Sequence, residues 1–141
     1  MTELADTSAS SWSPRRAYPD LRRGFDEALV EGELATCDMV RLELLHSARS
    51  AREFTAIREE LTALTDCPIH KDQWDRALWV YEQLSRRGGT FQRSVKHPDL
   101  LIAAAAEAAG VAVLHYDEDY DRIAAITGQP TRWLAPKGTL R

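Results

Sequence analysis

Residues 97–128 read HPDLLIAAAAEAAGVAVLHYDEDYDRIAAITG, and the reading of this stretch decides the fold. Pro98 suits the first turn of a helix, and Gly110 falls just past that helix's Leu- and Ala-rich body. VAVLHY follows as a continuous apolar run of strand length, and EDYDRIAAITG returns to a helical pattern. An apolar strand without alternation is covered on both faces, which is the habit of parallel sheets in α/β proteins.

The same alternation runs upstream. Residues 2–6 read as a short strand, DLRRGFDEALVEG as a helix closed by Gly32, and LATC as a short buried strand. Asp38 is placed to cap a helix through DMVRLELLHSA, and SAREFTAIREELTAL carries Phe54, Ile57, Leu61 and Leu64 at helical spacing. TDCPI reads as a strand that Pro68 confines to an edge or to its own end. KDQWDRALWVYEQLSRRGG predicts a helix with Trp74, Leu78, Tyr81 and Leu84 on its apolar face, stopping at Gly88 and Gly89, and TRWL predicts a last strand. The expected fold is α/β, with a mainly parallel central sheet between helical layers.

The chain has 141 residues, 44% hydrophobic and 28% charged, which allows one domain with a proper core and argues against disorder. No run approaches the length of a membrane span and the start lacks a signal-peptide pattern, so a cytoplasmic protein with no membrane partner is expected. Cys37 and Cys67 form no metal-binding motif and read as reduced core thiols. A net charge of -4 excludes gripping nucleic acid by overall positive potential. Arginines do gather at Arg15, Arg16, Arg22 and Arg23, and again through RRGGTFQRSVKH; solvated helix ends are the ordinary meaning of such pairs.

In parallel sheets, ligands bind beyond the carboxyl ends of the strands, near the point where strand order reverses. Asp6 ends the first strand and Asp117 ends VAVLHY; Glu43 lies in the helix leaving that edge, and Asp99 lies in the first turn of a helix that starts there. Singly, Asp6, Asp99 and Asp117 read as helix-terminus acids. Together, the four acids converge on one rim. Carboxylates held close raise one another's pKa unless a cation neutralises them, and an all-oxygen donor set favours Mg²⁺ or Mn²⁺ over zinc. Phosphodiester hydrolysis is the chemistry that follows.

ADTSA at the start, VRLELL around Glu43, HPDLLIAAAAEAAG and LHYDEDYDRIA together resemble a PIN-domain ribonuclease of the VapC toxin type, over essentially the whole chain. The resemblance implies a single PIN domain over residues 1–141, with a three-layer α/β/α sandwich, and Mg²⁺-dependent endonucleolytic cleavage of structured RNA such as transfer or ribosomal RNA, with Mn²⁺ as a substitute. It implies that Asp6, Asp99 and Asp117 ligate the metal, that Glu43 completes the acidic pocket, that Thr7 or Ser8 orients Asp6 or a metal-bound water, and that Asp119 serves a second metal. Tyr120 stands where Phe is commoner, and His115 departs from the usual Thr or Ser; a satisfied histidine at a strand end is the ordinary reading. Glu118 and Asp121 read as solvated helix residues.

On the same resemblance, Arg86, Arg87, Arg93 and Lys96 border the pocket and position RNA phosphates, with Arg15, Arg16, Arg22 and Arg23 opposite. Two protein partners are implied: a second copy, through the later helices, and a small VapB-type antitoxin. Phe25, Leu29, Phe54 and Ile57 offer an apolar groove for the antitoxin, although such spacing equally serves a core. A receiver domain and an aspartyl-nucleophile phosphatase are disfavoured, because Asp66 starts its strand and Ser8 stands where a phosphatase needs Asp. A catalytically silent PIN module that binds RNA or protein is the remaining alternative.

Overall fold

The computed structural model describes residues 1–12, 15, 17–88 and 91–141; the expectations placed on Arg16 and Gly89 lie outside these. The elements are β1 (Glu3–Ala5), α1 (Thr7–Trp12), α2 (Pro19–Val30), β2 (Leu34–Thr36), α3 (Asp38–His46), α4 (Ala51–Thr62), β3 (Thr65–Asp66), α5 (Lys71–Ser85), α6 (His97–Ala109), β4 (Ala112–His115), α7 (Asp119–Thr127) and β5 (Thr131–Trp133). Among the described residues the strands form one sheet of order β3-β2-β1-β4-β5. Every pairing in it is parallel. The chain builds outward from β1 to β3 on one side and then returns to add β4 and β5 on the other. The switch point therefore lies between β1 and β4, whose carboxyl ends lead to Asp6 and Asp117.

Alternation along these short strands divides the core in two. Leu4, Ala35 and Val113 face α3, α5, α6 and α7, packing with Val40, Val80, Leu84, Ile102 and Ile123. Ala5, Leu34 and Leu114 face the other way, against Ala9 of α1 and Phe25 and Ala28 of α2. The result is the expected three-layer α/β/α sandwich. Helix α6 is the central element: Asp99 to Ala106 are all buried. Gly110 caps it at φ 70°, a left-handed conformation that a side chain would strain. No helix among the described residues is long and apolar enough to cross a membrane.

Three expectations need correction, and one helix was not anticipated. Residues 7–12 form a helix that the sequence did not advertise, because TSASSW has no apolar period and buries only Ala9. Asp38 is the first residue of α3 and not its cap; the N-cap is Cys37, and the Asp38 carboxylate accepts from Arg41 at 3.0 Å. The strand expected in TDCPI shrinks to Thr65–Asp66 at the sheet edge, continued only by the Cys67 amide on Thr36 O at 2.8 Å. On α5 the buried residues are Ala77, Val80 and Leu84, while Trp74 and Leu78 are 52% and 62% exposed.

Candidate metal centre

Asp6 leaves β1 with its amide on Leu114 O of β4, 2.9 Å away, so the sheet itself fixes where its side chain starts. Its carboxylate is saturated on one side by Ser8, whose amide and hydroxyl donate to Oδ2 at 3.0 and 2.6 Å. The same hydroxyl accepts the Tyr116 amide at 2.8 Å, tying the start of α1 to the end of β4. Thr7 turns the other way and donates to Glu43 Oε1 at 2.8 Å. Of the two hydroxyls expected to orient Asp6, Ser8 does so; Thr7 instead anchors the helix acid Glu43 beside it.

Asp99, Asp117 and Asp119 each bring a carboxylate oxygen within 4.8 Å of the others. Asp99 stands in the first turn of α6 and is buried, as is Asp119 at the start of α7. The Asp119 amide donates to Asp117 Oδ1 at 2.9 Å, so the turn between β4 and α7 sets the angle between the two acids. Asp6 joins this group through Tyr120. The fully buried phenol donates to Asp6 Oδ1 at 2.6 Å and stands 3.3 Å from Asp99 Oδ1. Asp99 Oδ2 is buried with no hydrogen-bond partner.

Lys96 projects into the acids. Its ammonium lies 2.6 Å from Asp117, 2.9 Å from Asp119 and 3.4 Å from Asp99. Its backbone amide donates to Asp119 Oδ2 at 3.0 Å. The far side of Asp119 accepts from Arg122 at 2.9 Å.

The electrostatics follow from this crowding. Burial pushes the Asp99 carboxyl up to about 9, helped by its hydrogen bond with Asp119 and the charge of Asp6. Burial opposes ionisation of Asp119 too, but hydrogen bonds from Asp99 and from the Lys96 amide and ammonium outweigh it and hold the carboxyl below its ordinary value. Tyr120 is driven well above the ordinary phenol range by burial and by Asp6 and Asp99, so it acts only as a neutral donor. His115 is fully buried between the Tyr120 and Trp133 rings, each centred 4.9 Å away. Burial lowers its pKa, and its Nδ1 accepts the Asp117 amide at 3.2 Å, which places the proton of the neutral ring on the unpartnered Nε2. The residue expected to be an ordinary satisfied histidine thus holds the Asp117 backbone.

These residues fit a hard divalent cation. The donors are all carboxylate oxygens, one of them buried without a hydrogen bond, which is the donor set a hard cation takes. The remaining cations are placed less centrally. Arg86 pairs with Glu82 at 3.1 Å, and Arg87 donates to Ala125 O at 3.2 Å, near the end of α7 remote from Asp119. Arg93 is exposed in the short 3-10 helix Phe91–Ser94. Arg22 and Arg23 pair with Asp26 and Asp20 at 3.9 and 3.3 Å, and Arg15 stacks on Trp12 at 3.9 Å. Arg22 and Arg23 therefore answer to the solvated-helix reading.

The aspartates thus cluster at the switch point of a parallel α/β/α sandwich, where such folds bind their ligands. The family model described as PIN domain matches residues 5–126. The chain is 47% identical over 140 residues to Ribonuclease VapC18 of Mycobacterium tuberculosis (strain ATCC 25618 / H37Rv), covering 99% of this chain and 100% of that one. It is 39% identical over 137 residues to Ribonuclease VapC51 of the same strain, covering 97% and 96%. The protein belongs to the PIN-domain family, among its VapC-type members. The fold agrees: DNA-bound VapBC from Salmonella typhimurium superposes with a TM-score of 0.74 at 17% identity, over 96% of this chain and 100% of that one. VapBC2 from Rickettsia felis, bound to a fragment of its promoter DNA, superposes at 0.71 and 14% identity, covering 94% and 98%.

Proposed function

We propose that this chain is the toxin of a toxin–antitoxin pair, an endoribonuclease that cleaves structured RNA such as transfer or ribosomal RNA with Mg²⁺, Mn²⁺ serving in its place. The observation that carries this reading is the convergence of Asp99, Asp117 and Asp119 to within 4.8 Å at the switch point, in a chain 47% identical to a named ribonuclease. These three residues hold the cation, with Asp6 beside them through Tyr120. When bound, such a cation stabilises charge developing on a phosphodiester and eases ionisation of the attacking water.

The chain's own part is pre-organisation. Ser8 fixes Asp6, Tyr120 holds Asp6 and Asp99 at a set separation, His115 fixes the Asp117 backbone, and Thr7 presents Glu43 at the rim. A carboxylate at Glu43, outside the three-acid cluster, suits orientation of water at the scissile phosphate. Arg93 and the other basic residues near α6 meet flanking phosphates, contacts that position RNA without reading its sequence.

A VapB-type antitoxin has a matching surface. Phe25, Leu29, Leu44, Ile57, Leu61 and Leu64 line a groove of about 610 Å³ between α2 and α4, suited to an apolar helix or strand of a partner. Phe54 is 40% exposed on α4 but does not line it. The exposed Trp74 and Leu78, one turn apart on α5, suit a homodimer contact through the later helices.

The test is to incubate purified protein with total RNA in Mg²⁺ and in EDTA and to map new 5′ ends. Discrete ends in Mg²⁺ alone are expected. The same ends in EDTA defeat the metal mechanism, and none in either condition favours a silent binding module.

A further inference from the structure

The Lys96 ammonium meets all three clustered acids, at 2.6, 2.9 and 3.4 Å, so its three N–H donors stand where a cation shared by those acids would stand. Arg122 is placed differently: it meets Asp119 on the oxygen away from Lys96 and divides its charge with Glu118 at 2.8 Å. The Lys96 backbone is pinned by its amide to Asp119, while its side chain is 61% exposed. The ammonium can therefore swing out on its flexible stem without disturbing the start of α6 or any core contact.

We propose that Lys96 is a built-in competitor for the divalent cation: its ammonium occupies the space between Asp99, Asp117 and Asp119 until a divalent ion displaces it, and so sets the metal concentration at which the centre becomes loaded. The inference rests on the metal reading above and adds a regulatory residue to it. Two cations cannot share one three-carboxylate cluster at these distances without strong repulsion. Metal entry and departure of the ammonium are then one event, and the affinity observed is the intrinsic affinity reduced by the cost of that departure.

Calorimetric titration of Mn²⁺ into the full chain and into Lys96→Met and Lys96→Arg tests this. Lys96→Met is expected to bind Mn²⁺ about tenfold or more tightly than the parent, while Lys96→Arg, which keeps the cation, stays near the parent value. Equal or weaker binding by Lys96→Met overturns the competition and leaves the metal centre standing; no Mn²⁺ binding by parent or variant overturns the metal centre and the competition with it. A second measurement needs no folded Lys96→Met. In ¹⁵N-lysine-labelled parent protein, the Lys96 ammonium, assigned by its loss in Lys96→Arg, should give a slowly exchanging signal in EDTA that vanishes as Mg²⁺ is added. A signal unchanged at saturating Mg²⁺ overturns the proposal.

Discussion

A phenol enclosed between two carboxylates, as Tyr120 is between Asp6 and Asp99, does work that phenylalanine cannot. Tyr120→Phe removes the donor to Asp6 Oδ1 and leaves a buried acceptor short of a partner, at a cost of about 1 to 2 kcal/mol. Denaturant unfolding in EDTA measures it; an unchanged midpoint contradicts the bridging role. Asp99 offers a sharper test. The folded chain keeps its proton up to about 9, whereas the unfolded chain loses it near the ordinary carboxyl value of 3.8. The folded state thus binds the extra proton, and this group's contribution to stability falls as pH rises across that interval. Asp99→Asn has no such proton to lose. In EDTA its melting temperature should gain on the parent's from about pH 5 to about pH 8, while RNA cleavage in Mg²⁺ is abolished. A constant difference across pH contradicts the buried-acid account, and retained cleavage removes Asp99 from the site. Asp6, Asp99 and Asp117 could be assigned to one rim from the sequence because each falls at a predicted strand end or helix start, and Glu43 because its helix leaves that rim. The Tyr120 bridge was not, because it joins residues 114 positions apart and no local pattern encodes it.

At the scale of elements, α5 shows what periodicity can and cannot give. Trp74, Leu78, Tyr81 and Leu84 have helical spacing, and so do Ala77, Val80 and Leu84; both sets include Leu84. The second set is the buried one because the partner is α6, whose alanine-lined face accepts close neighbours and leaves the larger tryptophan outside. Leu84→Ala should therefore cost about 2 to 4 kcal/mol, and Leu78→Ala less than about 0.5 kcal/mol in the isolated chain. Denaturation midpoints decide between the faces, and equal losses would mean the face is assigned wrongly. Helix α1 was invisible for a related reason. It is held by Ser8 and Thr7 contacts at its start and by Ala9 beneath it, not by an apolar stripe.

Across the whole molecule, alternation of helix and strand was enough to give the layers, and the rule for parallel sheets gave the edge on which the acids meet. The order β3-β2-β1-β4-β5 was not readable, because three-residue strands carry no pairing information beyond being buried. That order is what puts the ends of β1 and β4 side by side and so turns separate capping acids into one centre. The most direct measurement is the anomalous scattering of Mn²⁺ in crystals of this protein. The account predicts a peak within coordination distance of Asp99, Asp117 and Asp119, with the Lys96 ammonium moved away from them. No peak at saturating Mn²⁺, with Lys96 still among the acids, would contradict it.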